Sequence, residues 1–432
     1  PRVKLPLAHA QELRLMVDAL MAAGKPVVCH LESASAGEWY ACAGAARTWI
    51  DPAGSVQLIG ASMEMMSLGA LLENAGVRAD FVRIGDYKSA PEQFTHEHMS
   101  APAREQYDAF LDDVYTRFTA DLARDAEVSV AHVRGWVDSG PYVAPEAVTG
   151  QLVDGALGAE DLRESAREVL GTRSIRPGLR TYRDEDGPRQ GIGIVVVDGA
   201  IVDGENVDIP LIDIHQSGAR TIIATLDAYA RDPNIAAIVL RIDSPGGSAL
   251  ASEQIWRAIR RAREHKPVIA SLGAVAASGG YYIASAADEI WADPATLTGS
   301  IGIYYGKVDF QQLAEVVGVN VEILGRGRRS GATSLFRPFT DDERARLQEM
   351  IASMYQLFLT RVAEGRDMTV DEVDALGQGR IWSGDRAQQN GLVDRLGGLG
   401  AALAQARVLA NLAPSCRVSV APGRPDDLLD YV

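Results

Sequence analysis

The sequence predicts an α/β fold made by a tandem duplication, with mostly parallel sheets covered by helices. Strand-like apolar runs alternate with helical patterns along the chain, which is typical of parallel strands connected through helices. The same motifs also recur in the same order about 240 residues later. A chain of 432 residues is too long for one ordinary hydrophobic core, so a division into domains is expected.

The repeat is clearest in three short motifs. The stretch at residues 25–28, Lys-Pro-Val-Val, resembles Lys-Pro-Val-Ile at residues 266–269. Trp-x-Asp-Pro occurs at residues 49–52 and again at residues 291–294. Leu-Val-Asp occurs at residues 152–154 and is repeated 240 residues later. Shared motifs at a nearly constant spacing indicate two copies of one structural unit.

The repeat divides the chain into four parts. A stretch rich in Arg, Pro, Gly and acidic residues separates the copies and predicts a linker. The parts are an N-terminal repeat domain, this linker, a C-terminal repeat domain and a C-terminal tail, at residues 1–170, 171–190, 191–415 and 416–432.

The first copy is incomplete at its start. Most of the unit at residues 191–248 has no counterpart before Leu5, and the chain begins at Pro1 within a strand-like run. We therefore expect that the N-terminus has been removed and that a signal or anchor segment was removed with it.

Composition narrows the function classes. The formal charge of −16 argues against a nucleic-acid surface, and no run of about 18 apolar residues predicts a transmembrane helix. Cys29, Cys42 and Cys416 have unrelated spacings, which predict neither a disulfide framework nor a zinc site and leave the compartment open. His96 and His98 have no further ligands nearby, so no metal or cofactor is predicted.

A candidate nucleophile follows a buried strand of the second copy. The apolar run at residues 268–272 leads through small residues to Ser278, and an apolar helix is predicted after it. Hydrolytic α/β enzymes display a nucleophile in this way, because the helix N-terminus favours developing negative charge. The alternative is that Ser278 is simply an N-cap.

A candidate base is found in the first copy. No histidine falls with an acidic residue in a recognisable triad order, whereas Lys88 follows the strand-like residues 81–84 and lies among small residues. Burial can keep a lysine neutral near pH 7, so that it serves as a base. The alternative is an ordinary solvated lysine.

Comparison of the copies connects the two candidates. The position that matches Lys88 falls at residues 325–330, where arginine stands, and arginine cannot give up its proton. The position that matches Ser278 falls near Ala36, although a one-residue shift would bring Ser33 or Ser35 there. Complementary loss of this kind predicts one shared site at the interface between the copies.

Two turns of the second copy complete the candidate site. Gly246 and Gly247, after the strand at residues 236–242, would let backbone N–H groups approach a substrate carbonyl, or would merely form a turn capped by Ser248. Ser300 lies in a second tight turn, where it either holds the lysine amine or stabilises the turn.

Together these residues resemble the signal peptide peptidase A family in its long, duplicated bacterial form. The resemblance covers about residues 3–400 and is carried by Asp-Ser-Pro-Gly-Gly, Ala-Ser-Gly-Gly-Tyr-Tyr, Thr-Gly-Ser-Ile-Gly and Gly-Asp-Tyr-Lys-Ser-Ala, at residues 243–247, 277–282, 298–302 and 85–90. It implies a Clp protease/crotonase-like fold of repeated β-β-α units.

The resemblance also implies a role for each matching residue. Ser278 would be the nucleophile, Lys88 the general base and Ser300 the hydroxyl that orients the lysine. Backbone amides of Gly246 and Gly279, with Gly247 in the same turn as Gly246, would stabilise the oxyanion. The sequence leaves open whether the dyad forms within one chain or between chains, and the similar lengths of the two copies favour one chain.

The implied function is a serine endopeptidase that degrades cleaved signal peptides and other extended hydrophobic peptides through an acyl-enzyme, without a cofactor. The resemblance places the full-length protein at the periplasmic face of the bacterial inner membrane, as a homotetramer. Two alternatives are a crotonase-like acyl-CoA enzyme and a non-catalytic peptide-binding scaffold. Five residues are expected either to form the cleft walls or to pack in the core: Leu250, Tyr281, Tyr282, Ile303 and Tyr304.

Overall fold

The computed structural model describes residues 5–175, 190–209 and 214–422. The predicted strand at the start of the chain and most of the predicted linker lie outside the described residues. The first copy contains α1 Leu7–Ala22, β1 Val28–Leu31, β2 Ala34–Ser35, α2 Ala36–Cys42, β3 Arg47–Ile50, β4 Ser55–Gln57, α3 Gly69–Asn74, β5 Arg78–Ile84, α4 Glu92–Thr95, α5 Ala101–Asp125, α6 Val130–Ser139, β6 Tyr142–Val143, α7 Ala144–Thr149, β7 Gly155–Ala156 and α8 Leu162–Leu170.

The second copy is larger. It contains β8 Gly191–Asp198, β9 Ala200–Val202, β10 Val207–Ile209, β11 Ile214–Gly218, α9 Ala219–Arg231, β12 Ile235–Ser244, α10 Ala249–Arg263, β13 Val268–Ala277, α11 Gly279–Ala284, β14 Glu289–Ala292, β15 Leu297–Gly299, β16 Ile303–Asp309, α12 Gln311–Val316, α13 Asp341–Arg366, α14 Val370–Leu376, β17 Ile381–Ser383, α15 Gly384–Gln389, β18 Arg395–Leu396, α16 Leu399–Leu409 and β19 Arg417–Ala421.

The predicted α/β fold is confirmed by the sheet of the second copy. Its main path runs β17-β15-β13-β12-β8-β19, and β14 and β18 extend it from β13. The pairs of β12 with β8 and with β13 are parallel, whereas β15 and β17 are antiparallel. The central strands are apolar almost throughout because helices cover both faces of the sheet, and residues 191–197 are buried without a break.

The first copy has smaller sheets. Among the described residues, β1, β3 and β7 form one sheet, and β2, β4 and β6 form another. Its own core includes Trp39, Tyr40 and Phe118. This core is separate from the clusters that pack on the sheet of the second copy.

Two features of the fold differ from the predictions. The C-terminal repeat domain extends past residue 415, because Arg417–Ala421 pairs with β8 as a parallel edge strand. Cys29 and Cys42 form a disulfide, although their spacing of 13 residues suggested none. Strand β1 and the end of α2 bring their Cα atoms to 6.0 Å, within the range that a disulfide spans.

The two copies are joined along an antiparallel ribbon and a helix. Strand β5 of the first copy pairs with β16 of the second over seven residues, with Ile84 opposite Ile303. Helix α1 packs on β13, and its Glu12 forms a bidentate ion pair with the buried Arg241. The ribbon holds the end of β5, where the chain of the first copy turns toward the second.

Candidate active site

Ser278 lies at the junction between β13 and α11 in an uncommon backbone conformation. Its φ is +54°, a region that residues other than glycine rarely adopt. Its N–H donates to the Gly299 carbonyl at 2.8 Å, and its carbonyl accepts from Tyr282 N at 2.8 Å. Strain of this kind persists where the surroundings hold it, and it is common at catalytic nucleophiles.

The glycines after Ser278 are needed because other backbone approaches closely. A Cβ on Gly280 would lie 2.8 Å from the Ser244 carbonyl, and one on Gly279 would lie 2.5 Å from Ser252 Oγ. A larger residue at position 280 would push α11 away from β12, and one at position 279 would push it away from α10. The small-residue turn seen in the sequence therefore has a steric cause.

Lys88 reaches Ser278 from the other copy. Its Nζ lies 3.0 Å from Ser278 Oγ and donates to the carbonyl of Ser300 at 2.8 Å and to its hydroxyl at 3.0 Å. The structure therefore brings together, within one chain, the three side chains that the sequence singled out in three separate motifs.

The environment of Lys88 favours its neutral form. The residue is only 3% exposed, and this desolvation lowers the pKa of its amine to about 7. No acidic neighbour opposes the shift. A large fraction of the amine is therefore unprotonated at neutral pH, and such an amine can accept the proton of a hydroxyl within hydrogen-bond distance.

The turn that carries Ser300 holds both Lys88 and Ser278 in position. Ser300 has a φ of +52°, and its N–H donates to the Arg380 carbonyl at 2.7 Å. The preceding residue, Gly299, accepts the hydrogen bond from Ser278 N. The same turn therefore positions the lysine through Ser300 and the serine through Gly299.

The loop with Lys88 is locked against the second copy. Tyr87 N donates to the Gln378 carbonyl at 3.0 Å, and Arg83 donates to the Lys88 carbonyl at 3.1 Å. A Cβ on Gly379 would lie 2.5 Å from Lys88 Cβ, so only glycine fits there. The sequence did not single out Gly379, because its role depends on a contact between the copies.

Gln106 is a further residue that sequence reasoning missed. It is 1% exposed, and its Nε2 donates to the Tyr87 carbonyl and to Ser89 Oγ, each at 2.9 Å. Its Oε1 accepts from Ile381 N at 3.0 Å. One buried amide thus ties the residues on both sides of Lys88 to β17 of the second copy.

If Gln106 positions the lysine, Gln106→Leu will lower kcat by about tenfold to a hundredfold, because small displacements of a base are costly. The midpoint of the pH profile should also shift, since the amine would no longer be held in the same desolvated place. Steady-state kinetics across pH test this, with Gln311→Leu on exposed α12 as the control. An unchanged profile with a normal kcat would show that Gln106 has only a structural role.

The expected oxyanion donors need one correction. The N–H of Gly246 donates to Ser244 Oγ at 3.1 Å, so this amide is already engaged. Next to it, Ile201 N donates to the Gly246 carbonyl, and Ser248 N donates to the Ile201 carbonyl. The amide of Gly247 takes part in neither of these two hydrogen bonds. Gly247 N is therefore the better candidate in this turn.

Gly247 and Gly279 lie close together next to the serine. A Cβ on Gly279 would be 3.2 Å from Gly247 N, and one on Gly246 would be 2.5 Å from Gly279 N and 2.8 Å from Ser278 Cβ. Two amides at this place, one of them at the start of a helix, are suited to bind a developing oxyanion.

The residues considered for the cleft walls divide into two groups. Tyr281 and Tyr282 are buried, and their hydroxyls donate to the Leu392 carbonyl and to Glu253, so they belong to the core. Leu250 and Tyr304 are exposed, and Ile303 is partly buried.

The corresponding place in the first copy has no dyad. Ser35 caps α2 in a capping box, where it accepts from Glu38 N and its own N–H donates to the Glu38 carboxylate. In the second copy, Arg329 lies in the stretch that matches Lys88 and forms an ion pair with Asp342.

No group of three or more potential metal ligands occurs among the described residues.

None of the helices in the described part of the chain is both long and apolar enough to cross a membrane.

Comparison with known proteins was consistent with the duplication. The model of peptidase family S49 matches residues 19–173 and again residues 260–413, and the Clp protease model matches residues 207–292. The two S49 matches fall on the two copies.

Individual relatives cover most of the chain. It is 31% identical to Protease 4 of Salmonella typhi over 90% of its length, which is 64% of that protein. It is 30% identical to the chloroplastic serine protease SPPA of Arabidopsis thaliana over 95% of its length, or 62% of that protein. A shorter match, 32% identical, covers 46% of the chain and 58% of the putative signal peptide peptidase SppA of Enterococcus faecium.

The chain thus spans somewhat less than two thirds of the length of the first two relatives. The two family matches nevertheless cover more than half of the chain. The chain belongs to peptidase family S49.

Proposed function

We propose that this protein is a serine endopeptidase with a Ser278–Lys88 dyad. The observation that carries the proposal is the 3.0 Å contact between Lys88 Nζ and Ser278 Oγ, with the lysine buried and its pKa lowered to about 7. Membership of a peptidase family and the protease names of the relatives support the same reaction.

In the proposed mechanism, neutral Lys88 takes the proton of the Ser278 hydroxyl as Oγ attacks a peptide carbonyl. The hydroxyl and carbonyl of Ser300 hold the resulting ammonium in place. The amides of Gly247 and Gly279 bind the oxyanion. When the tetrahedral intermediate collapses, Lys88 protonates the leaving amine and an acyl-enzyme remains. The lysine then takes a proton from the water that attacks the ester, and it returns this proton to Ser278 Oγ as the acid product leaves.

The proposed substrates are extended hydrophobic peptides, with cleaved signal peptides among them. The exposed apolar side chains of Leu250 and Tyr304 support this choice. The Enterococcus faecium relative is named as a signal peptide peptidase, which is a further support.

We also propose that the protein works at the periplasmic face of a bacterial inner membrane, as a homotetramer. The Cys29–Cys42 disulfide supports an oxidising compartment, because disulfides are rare in the cytosol.

The test is hydrolysis of a fluorogenic apolar peptide by the chain and by Ser278→Ala. We expect turnover by the parent and a loss of at least about a thousandfold in the variant, because the substitution removes the hydroxyl that forms the acyl-enzyme. The control is Ser353→Ala, on the exposed face of α13, which should leave the rate unchanged.

Persistent hydrolysis by Ser278→Ala would contradict the dyad. Binding of an acyl-CoA thioester, with turnover that survives the substitution, would favour a crotonase-like enzyme. Peptide binding without turnover by the parent would favour a scaffold.

A further inference from the structure

A cavity of about 470 Å³ lies beside β5, between α4 and the beginning of α13. Strand β5 and α4 belong to the first copy, whereas α13 belongs to the second, so residues of both copies line it. Its volume is in the range of small-molecule sites. Neither Ser278 nor Lys88 is among the lining residues, so the cavity is distinct from the candidate active site.

Three arginines line this cavity, which we call the arginine cavity. Arg78 and Arg83 lie on β5, and Arg344 lies in the first turn of α13. They gather positive charge at one place in a chain whose formal charge is −16. Guanidinium groups that converge from separate elements favour an anionic ligand.

Two of these arginines have carboxylate partners, but the partners lie deeper in the protein than the guanidinium groups do. Arg83 pairs with Glu92, and their side chains are 32% and 6% exposed. Arg344 pairs with Asp80, which also lines the cavity, and their side chains are 38% and 2% exposed. The positive member of each pair is therefore accessible, whereas the negative member is buried.

The two buried carboxylates are held in place by other donors. Glu92 accepts a hydrogen bond from Ser100 Oγ at 2.8 Å. Asp80 accepts one from Phe339 N, also at 2.8 Å. Because these donors anchor both carboxylates in the interior, an anion in the cavity would meet the arginines from the opposite, open side.

Some of the arginine N–H groups have no acceptor. Arg78 is exposed, and its side chain has no hydrogen-bond or ion-pair partner among the described residues. Arg83 makes both of its side-chain hydrogen bonds, to Glu92 and to the Lys88 carbonyl, through one nitrogen, Nη1. Its Nε and Nη2 therefore remain able to donate, and a guanidinium group donates well to a pair of phosphate oxygens.

The cavity also has an apolar wall. Phe81 lines it and stacks on Phe94, with 6.3 Å between the ring centroids. The wall offers a surface to an organic group that is attached to the anion. A phosphate ester combines both features, and a bare inorganic anion would use only the arginines.

We propose that the arginine cavity binds a phosphate ester, with the phosphate held by Arg78, Arg83 and Arg344 and the small organic group against Phe81. A soluble phosphate ester and the headgroup of an anionic phospholipid share this chemistry. Binding does not depend on the chemistry of Ser278, so the site stands or falls apart from the proposed reaction.

A bound phosphate should also act on the catalytic lysine. Arg83 donates to the Lys88 carbonyl at 3.1 Å, and a phosphate would compete with this carbonyl for the guanidinium group. We expect a saturating ligand to lower kcat for peptide hydrolysis by about threefold to tenfold with little change in KM, because a small shift of the base affects the chemical step more than substrate binding. This effect, unlike binding, rests on the proposed function.

Binding is measured by isothermal titration calorimetry with glycerol phosphate. We expect the parent to bind it and Arg78→Gln to bind it at least about tenfold more weakly, because the change removes a charged donor. Arg78 has no contact with the dyad, so basal hydrolysis by this variant should be normal. Arg163→Gln, on an exposed position of α8, is the matched control and should bind like the parent. Glycerol without phosphate should not bind.

Vesicles distinguish the two sources of the phosphate. Cosedimentation of the parent, but not of Arg78→Gln, with phosphatidylglycerol vesicles and not with phosphatidylcholine vesicles would identify a lipid headgroup. Binding of glycerol phosphate alone would identify a soluble ester. No binding of either probe by the parent, or equal binding by the parent and Arg78→Gln, would overturn the proposal.

The kinetic effect has its own outcomes. A parent that binds glycerol phosphate but hydrolyses no peptide would confirm the site and contradict the proposed function. An active parent whose kcat is unchanged at saturating ligand would contradict the connection through Arg83.

Discussion

Lys88→Met is expected to abolish peptide hydrolysis, with a fall in kcat/KM of about four orders of magnitude. Methionine nearly matches the length and volume of the lysine stem but cannot accept a proton, so Ser278 loses its base. Lys88→Arg should be as inactive, because a guanidinium stays protonated in a protein. The exposed Lys25→Met is the control and should behave like the parent.

Lys88→Met should also make the protein more stable. A gain in stability would show that the variant is inactive because it lacks the base and not because it is unfolded. In the folded state the pKa of Lys88 is about 7 rather than 10.5, so folding opposes protonation of this amine. This cost is fully present below pH 7, fades as the pH rises and is gone above about 10.5. Lys88→Met should therefore raise the free energy of unfolding by about 2 kcal/mol or more at pH 6, and by less at pH 10.

Denaturant unfolding at the two pH values checks this expectation. An inactive variant that is also much less stable at pH 6 would mean that Lys88 supports the fold rather than the reaction. Substantial hydrolysis by Lys88→Arg would exclude the lysine as the base.

Gly379→Ala is expected to lower kcat by about a hundredfold to a thousandfold, although Gly379 touches no substrate. Its added Cβ would lie 2.4 Å from Lys88 N and 2.5 Å from both Lys88 Cα and Cβ, so the lysine must move. Shifts of about an ångström in a catalytic group have effects of this size. Substrate binding depends less on Lys88, so KM should change little.

The backbone cost of this substitution needs its own control. Gly379 has a φ of +80°, where alanine is strained by about 1 kcal/mol. Gly24 has a similar φ of +70°, and a Cβ there meets no atom within 4 Å. Gly24→Ala should therefore show the strain in its melting temperature without a loss of activity. A normal kcat for Gly379→Ala would contradict the close packing of the lysine loop on the second copy.

Sequence reasoning succeeded where a local motif carried the information. The alternation of strands and helices predicted the α/β fold, and the small residues around Ser278 reflect a turn in which other backbone approaches closely. The duplication added the expectation that Lys88 and Ser278 meet between the copies, and their side chains do lie within hydrogen-bond distance. Comparison of two copies within one chain thus gave long-range information that neither motif contains alone.

Sequence reasoning failed where a contact in the site joins residues that belong to no recognisable motif. Gln106 looks like any polar residue on a long helix, and only the fold shows that its amide bridges the lysine loop and Ile381. The disulfide between Cys29 and Cys42 depends on how α2 packs beside β1. The engagement of the Gly246 amide by Ser244 is likewise visible only in three dimensions.

The central claim is that Lys88 acts as a neutral, desolvated base, and the pH dependence of kcat/KM tests it most directly. For the free enzyme this profile reports the pKa of the essential base. With a peptide that does not titrate in the range, we expect kcat/KM to rise with pH through a single ionisation near 7 and then to level off, as the lowered pKa of Lys88 requires. A profile that keeps rising toward pH 10, where an ordinary lysine loses its proton, would contradict the account.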